Sequence, residues 1–131
     1  MNIHIKATVR NTYTDALTAA LAVNGGTIEL RDGTQPATPE TTATGTLGAT
    51  LTLNATAFGA SAAGIATAGA ITSGTGVANI TPTWFRMKNS GGTAVLDGSA
   101  GTASTDLILA AANIAIGATI SCSSLTLGTA A

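Results

Sequence analysis

The chain has 131 residues, of which 45% are apolar and only 8% are charged, and its formal net charge is −1. The length fits one domain, whereas soluble domains usually contain about 25% charged residues. The five Lys and Arg residues are scattered along the chain, so they cannot form a cationic face for phosphate contacts, and we expect no nucleic-acid binding. The single cysteine, Cys122, excludes an internal disulfide.

The first part of the chain, residues 1–26, is predicted to be an arm followed by a helix. Residues 3–7 alternate in polarity and form either a short strand or an extended arm. Apolar residues then recur at helical spacing, and Asn24 followed by two glycines supplies a C-cap. We expect this stripe to lie across a sheet or against another subunit. It consists of Val9, Tyr13, Ala16, Leu17, Ala20 and Leu21.

The remaining residues, 27–131, are predicted to form one β-rich body. Residues 27–31 alternate with period two, and residues 46–54 contain the clearest strand, with its leucines on one face. Two prolines argue against a central strand in residues 33–45. We expect this loop and residues 1–7 to become ordered only on contact with a partner. Further short strands are predicted near residues 65–71, 83–88, 93–96, 106–109, 113–116 and 119–127.

The last of these strands changes parity partway along. Ile120 and Cys122 share one face, whereas Leu125 and Leu127 share the other, so a bulge at Ser123 and Ser124 would restore a single buried face. In total, one helix precedes about seven or eight short strands. This pattern predicts a mainly β protein, an antiparallel β-sandwich or jelly-roll-like barrel.

No arrangement of reactive side chains suggests catalysis. His4 is the only histidine, and a terminal arm is a poor place for a base, which needs a rigid pocket. Cys122 has no second cysteine to share a metal ion, and Asp97 and Asp106 offer too few oxygens for a hard cation. We therefore expect a non-enzymatic protein with no cofactor and no metal site.

A membrane span is not expected either. Residues 41–85 carry no charge, but polar residues interrupt this segment throughout, and it never offers the roughly 20 consecutive apolar residues that a span needs.

The composition favours assembly with other proteins. Together 27 Ala, 25 Thr and 16 Gly account for 68 of the 131 residues. A surface of such residues is easily desolvated and loses little side-chain entropy on contact. The alternative is a stable, Thr-rich β-protein that is merely sparsely charged. The residues that we predict to form an interface are Ile3, His4, Ile5, Val9, Tyr13, Phe58, Trp84 and Arg86.

Trp84 and Arg86 enter that set because they alternate with Phe85, so that one aromatic ring faces the core and the other faces outward. Buried Trp and Arg residues frequently anchor protein contacts. A tryptophan that simply packs on its own sheet is the alternative.

A series of short motifs occurs in a fixed order along residues 27–127. They are Asp32-Gly-Thr-Gln-Pro-Ala-Thr38, Leu51-Thr-Leu53, Ala57-Phe-Gly-Ala60, Gly64-Ile-Ala-Thr-Ala68, Trp84-Phe-Arg86, Ser90-Gly-Gly-Thr93, Val95-Leu-Asp-Gly98, Asp106-Leu107, Gly117-Ala-Thr-Ile-Ser121 and Ser124-Leu-Thr126. In this order they resemble small proteins encoded in the structural-gene clusters of tailed bacteriophages.

The resemblance implies a virion structural protein that is made in the bacterial host cytoplasm and present in many copies. One expectation is a capsid decoration or cement protein, a dimer or trimer that bridges subunits of the major capsid protein through its arm and helix. A head–tail connector, tail or fibre-associated subunit is the alternative within the virion. A soluble adhesin-like β-sandwich module, which binds through loops at one end, is the alternative of another class.

Overall fold

A computed structural model describes residues 3–21 and 24–128. Residues 1–2 of the predicted arm and residues 129–131 of the predicted β-rich body lie outside the described residues. The described part is mainly β, with one helix near its N-terminus, α1 (Ala7–Leu21). The strands are β1 (Thr27–Arg31), β2 (Leu47–Leu53), β3 (Ile65–Thr67), β4 (Ile71–Thr72), β5 (Gly74–Thr75), β6 (Trp84–Lys88), β7 (Ala94–Gly101), β8 (Leu107–Leu109), β9 (Thr119–Ile120) and β10 (Cys122–Gly128).

Eight of these strands form one curled sheet in the order β3-β10-β8-β7-β6-β1-β2-β4, and β5 pairs separately with β9. The prediction of a mainly β protein preceded by a helix is confirmed. The prediction of a wholly antiparallel sheet is wrong, because β7 and β8 run parallel over two residue pairs. A parallel neighbour normally needs a crossover of about a dozen residues, and here the short overlap allows a much shorter connection.

The two edges of the curled sheet come from a single segment of the chain. Only residues 68–70 separate β3, at one edge, from β4, at the other. An extended chain covers about 3.3 Å per residue, so the two edges lie close together at this point. The strand predicted at residues 65–71 is therefore split between the two edges of the sheet.

Period-two patterns predicted several elements correctly. The bounds of β1, β2 and β6 agree with the predicted strands within one residue at each end. The predicted bulge in β10 is confirmed, since the register with β8 shifts between Cys122 and Ser124. Two details differ: β7 continues past Asp97 to Gly101, and residues 113–116 contribute only an isolated bridge between Ile80 and Ile114.

The core is built from side chains of the eight-stranded sheet, together with Leu21 of α1 and residues of the connecting segments. Strand β6 is buried on both of its faces, because residues 32–46 form a covering loop over its outer side. The fully buried apolar side chains of the core include Ile28, Leu30, Leu51, Phe85, Met87, Leu107 and Leu125.

The covering loop is bound by side chains of the sheet that it covers. Trp84 Nε1 donates a hydrogen bond to Asp32 O at 2.9 Å, and Arg86 Nη1 donates one to Thr41 O at 2.8 Å. Thr83 Oγ1 donates to the carbonyl of Gly33 at 2.7 Å. These contacts lie within one subunit, contrary to the expectation that the loop becomes ordered only on contact with a partner.

Candidate assembly surface

Helix α1 contacts the body through its polar side. Asn11 Oδ1 accepts a hydrogen bond from Gly64 N at 2.6 Å, and Asp15 Oδ1 accepts one from Ser61 N at 2.8 Å. Ser61 Oγ donates to Asn11 O at 2.9 Å, and Thr14 Oγ1, which is fully buried, donates to Gly64 O at 2.7 Å. Side chains of the helix thus satisfy the backbone of the turn at residues 61–64.

The apolar stripe of the same helix faces solvent from Val9 to Ala20, whereas its last residue, Leu21, is buried in the core. The expectation that the stripe lies across the sheet is therefore wrong for residues 9–20, although contact with another subunit stays a prediction. The physical reason is that the opposite side of the helix carries the side chains that hydrogen-bond the turn, and unpaired backbone groups there would cost about 1–3 kcal/mol each. The exposed fractions are 44% for Val9, 59% for Tyr13 and 39% for Leu17.

The arm before the helix extends this exposed surface. Ile3 is 66% exposed and Ile5 is 42% exposed, and His4 between them is also exposed. We name the exposed arm and helix residues Ile3, His4, Ile5, Val9, Tyr13 and Leu17 the N-terminal surface. Five of these belong to the predicted interface set, and Leu17 joins them because it continues the stripe by one helical turn.

The other three predicted interface residues lie elsewhere. Phe58 is half-buried and packs against the core beside its bridge to Ala68. Trp84 is only 1% exposed and Arg86 only 4%, because the covering loop lies over them. Their assignment to an interface is therefore wrong, and the alternative of a tryptophan packed on its own sheet is confirmed.

Arg86 has a structural role beneath the covering loop. Its Nε and Nη2 atoms each donate to one oxygen of Asp97 at 2.7 Å, a bidentate pair in which both side chains are almost fully buried. Its guanidinium carbon lies 5.5 Å from the centre of the Trp84 ring. The hydrogen bonds with Asp97 raise the pKa of Arg86 above its ordinary value, so the guanidinium stays charged.

Much of the protein's charge lies on this one outer face of β1, β6 and β7. Glu29 accepts hydrogen bonds from Arg31 and Lys88. Burial works to raise the pKa of Glu29, but these two cations outweigh it and hold the pKa below its usual range. The paired residues on this face are Glu29, Arg31, Arg86, Lys88 and Asp97. By contrast, residues 41–85 and 107–128 carry no charge at all, so much of the remaining surface is uncharged.

A second, smaller apolar surface lies on two adjoining loops. Val77 and Ile116 are both well exposed. Their loops are joined by hydrogen bonds from Gly117 N to Gly76 O at 2.9 Å and from Ile116 N to Asn79 Oδ1 at 3.0 Å. Besides Ile65 in β3, which is exposed on its own, the described residues therefore form two groups of exposed apolar side chains.

Cavities and reactive groups add little chemistry. A cleft of about 220 Å³ lies beside Leu17, and two carboxylates line it. The Asp97 carboxylate is paired with Arg86, and the Asp106 carboxylate accepts hydrogen bonds from Ser99 N at 2.9 Å and Ser99 Oγ at 2.7 Å. Burial raises the pKa of the Cys122 thiol. Within residues 3–21 and 24–128 there is no cluster of three metal-binding side chains, and no helix there is long and apolar enough to cross a membrane.

The candidate site is the N-terminal surface, which contains five of the eight exposed large apolar side chains of the described residues. No protein-family model matches the sequence, and neither curated proteins nor solved structures provide a match.

Proposed function

We propose that this protein is a non-enzymatic structural subunit of a bacteriophage virion, a capsid decoration or cement protein that bridges subunits of the major capsid protein. The observation that carries the proposal is the N-terminal surface, which stays exposed on a molecule that pairs five of its eleven charges on another face. The order of motifs along residues 27–127 supports the assignment to a virion. The protein would be made in the host cytoplasm and then reside in the particle.

The physics of a shell supports this role. A protein that reinforces a shell needs contact area and close shape match more than a few strong polar contacts. Exposed Ala, Thr and Gly side chains let backbones approach closely and lose little entropy when covered. The uncharged surface over residues 41–85 and 107–128 has few ions to desolvate.

A connector, tail or fibre-associated subunit is the second candidate. The presence of two different apolar regions, the N-terminal surface and the loops with Val77 and Ile116, favours it. Contact between unlike surfaces of neighbouring copies generates rings or filaments rather than closed pairs. An adhesin-like module has less support, since Trp84 and Phe85 are buried and Phe58 is half-buried, which leaves Tyr13 as the exposed ring.

We also propose that the body is a small closed barrel, the jelly-roll-like form of the predicted fold. Strand β5 follows β4 by one residue, and β9 precedes β10 by one residue, so their pairing connects opposite sides of the curled sheet. Val77 N donates to Gly48 O at 2.7 Å and Gly76 N donates to Ala118 O at 2.8 Å at this seam. Protection of these two amides from hydrogen exchange, as strong as in β1, is the expected result, and rapid exchange would contradict closure.

The proposed function is tested by imaging phage particles produced in cells that express the full chain, with an antibody against it. We expect regular labelling of the outer shell. Labelling of the tail or portal alone would favour the second candidate. Absence of the chain from mature particles would contradict any virion role.

The matched variants are deletion of residues 1–7 and the substitution His4→Ala. The deletion is expected to leave the β body folded by circular dichroism and to lower particle binding, because it removes part of the N-terminal surface. Normal binding after the deletion would exclude the arm from attachment. His4→Ala should abolish no reaction, and a hydrolytic activity that this substitution removed would contradict the non-enzymatic part of the proposal.

A further inference from the structure

We infer that the N-terminal surface binds the same surface of a second copy of this chain, with the two α1 helices antiparallel across a two-fold axis. The inference rests on the proposed function, since it assigns the N-terminal surface to the contact between two copies of the bridging protein. The pair then attaches to the shell through the surfaces that it leaves exposed, and deletion of residues 1–7 lowers particle binding because it weakens the pair. It commits to a closed pair because like surfaces related by a two-fold axis leave no further copy to add.

The charges at the two ends of α1 support the antiparallel arrangement. Lys6 O accepts a hydrogen bond from Arg10 N at 3.1 Å, so Lys6 is the N-cap residue and Arg10 lies in the first turn. The first turn contains no acidic residue and the last turn contains no basic one. These cations lie at the positive end of the helix dipole, where they are unfavourable for an isolated helix.

An antiparallel second copy reverses this disadvantage. Lys6 of one helix then lies beside the last turn of the other, where the dipole is negative. A parallel pair would instead place the two Lys6 side chains together. Lys6 is exposed and lies about 20° from Tyr13 around the helix axis, whereas Arg10 is half-buried and its Nε atom is enclosed by the protein.

No carboxylate opposes self-pairing from the exposed side of the helix. Asp15 is the acidic residue of α1, and it lies about 160° around the axis from Tyr13. Its carboxylate accepts the hydrogen bond from Ser61 N in the body. Each copy therefore presents an apolar stripe with the exposed Lys6 at its N-terminal end.

The spacing of the stripe defines the register of the pair. With Tyr13 at the two-fold axis, Val9 of one copy is opposite Leu17 of the other. Ala16 and Ala20, both exposed, lie next to Tyr13 on the same side and let the two helices approach closely. One helix and a short arm make a small interface, so we expect a weak dimer whose population depends on concentration.

The first test is sedimentation equilibrium of the full chain at several concentrations, comparing Tyr13→Asp with the control Thr12→Asp. Thr12 is exposed and lies about 100° from Tyr13 around the helix. We expect a dimer for the wild type and for Thr12→Asp. The dissociation constant of the dimer should be about tenfold or more higher for Tyr13→Asp. Circular dichroism melting should be the same for the two variants.

Two kinds of result of this test would overturn the inference. One is a wild-type chain that stays monomeric at the highest soluble concentration, or a Tyr13→Asp variant that dimerises as well as the wild type. The other is a trimer or larger species that Tyr13→Asp abolishes, since it would assign the stripe to a different geometry.

The second test determines direction by disulfide crosslinking in a Cys122→Ser background. A mixture of Val9→Cys and Leu17→Cys chains should give mainly the mixed crosslink, because only opposed residues come within disulfide reach. Predominant self-linking of Val9→Cys would indicate parallel helices and overturn the inference. A dimer that is missing from particles contradicts only the proposed function, whereas a particle-bound chain without the dimer contradicts only this inference.

Discussion

The guanidinium group of Arg86 is enclosed by the Asp97 carboxylate, the Trp84 ring and the carbonyl of Thr41. Removal of one partner from a buried pair leaves an uncompensated charge, and this typically costs about 3–5 kcal/mol. We predict that Asp97→Ala lowers the free energy of unfolding by about this amount, measured by urea denaturation.

Glu40→Gln is the matched control for this prediction. Glu40 is a fully exposed carboxylate in the covering loop that lies over Arg86. The urea midpoint of Glu40→Gln should equal that of the wild type. If Asp97→Ala had no larger effect than Glu40→Gln, the bidentate pair would not stabilise the sheet.

Gly98 is a residue whose missing side chain matters. It is paired with Phe85 across β6 and β7, and an added Cβ would lie 2.6 Å from a ring atom of Phe85. The ring is fully buried and cannot move away, so we predict that Gly98→Ala lowers the free energy of unfolding by about 1–3 kcal/mol.

The control is Gly59→Ala, where an added Cβ meets no atom within 4 Å. This substitution should leave stability unchanged or raise it slightly, because alanine restricts the unfolded chain. Thermal melts of the two variants provide the comparison. Equal melting temperatures would show that the contact between Gly98 and Phe85 is not tight in solution.

At the scale of elements, α1 is fixed to the body by a few polar contacts rather than by a broad apolar face. Thr14 is buried and donates to Gly64 O, whereas Thr12 on the exposed side donates only to Thr8 O within the helix. We predict that Thr14→Val weakens the docking of α1 by about 1–3 kcal/mol. The substitution removes the hydroxyl group and leaves its acceptor, Gly64 O, without this hydrogen bond at a buried position.

Hydrogen exchange of the α1 amides measures this effect. Exchange in the helix should accelerate in Thr14→Val while exchange in β1 and β6 stays the same, because local opening does not require the sheet to unfold. Thr12→Val is the control and should leave both rates near those of the wild type. Equal acceleration in helix and sheet would indicate that α1 and the body unfold as one unit.

At the scale of the whole molecule, the distribution of charge matters more than its total. Five of the eleven charged residues form ion pairs on one outer face of β1, β6 and β7, partly beneath the covering loop. Long segments of the remaining chain, residues 41–85 and 107–128, carry none. Charges that are paired and half-buried contribute little to keeping like surfaces apart, so we expect a greater tendency to assemble than an 8% charged fraction suggests.

The amino-acid sequence by itself determined the local elements. Period-two alternation defined β1, β2 and β6, and the change of parity between Cys122 and Leu125 required the bulge that β10 contains. Helical spacing likewise defined α1 and the residues of its stripe. These features depend on neighbours within a few positions, and a strand or helix has a fixed period that the sequence must match.

Only the tertiary structure decided which faces are covered. The stripe of α1 is exposed up to Ala20 because the turn at residues 61–64, about 50 positions away, bonds the opposite side of the helix. Trp84 and Arg86 are buried because the covering loop returns over the outer face of β6. Periodicity tells which residues share a face, but the burial of that face depends on contacts between segments that are distant in the chain.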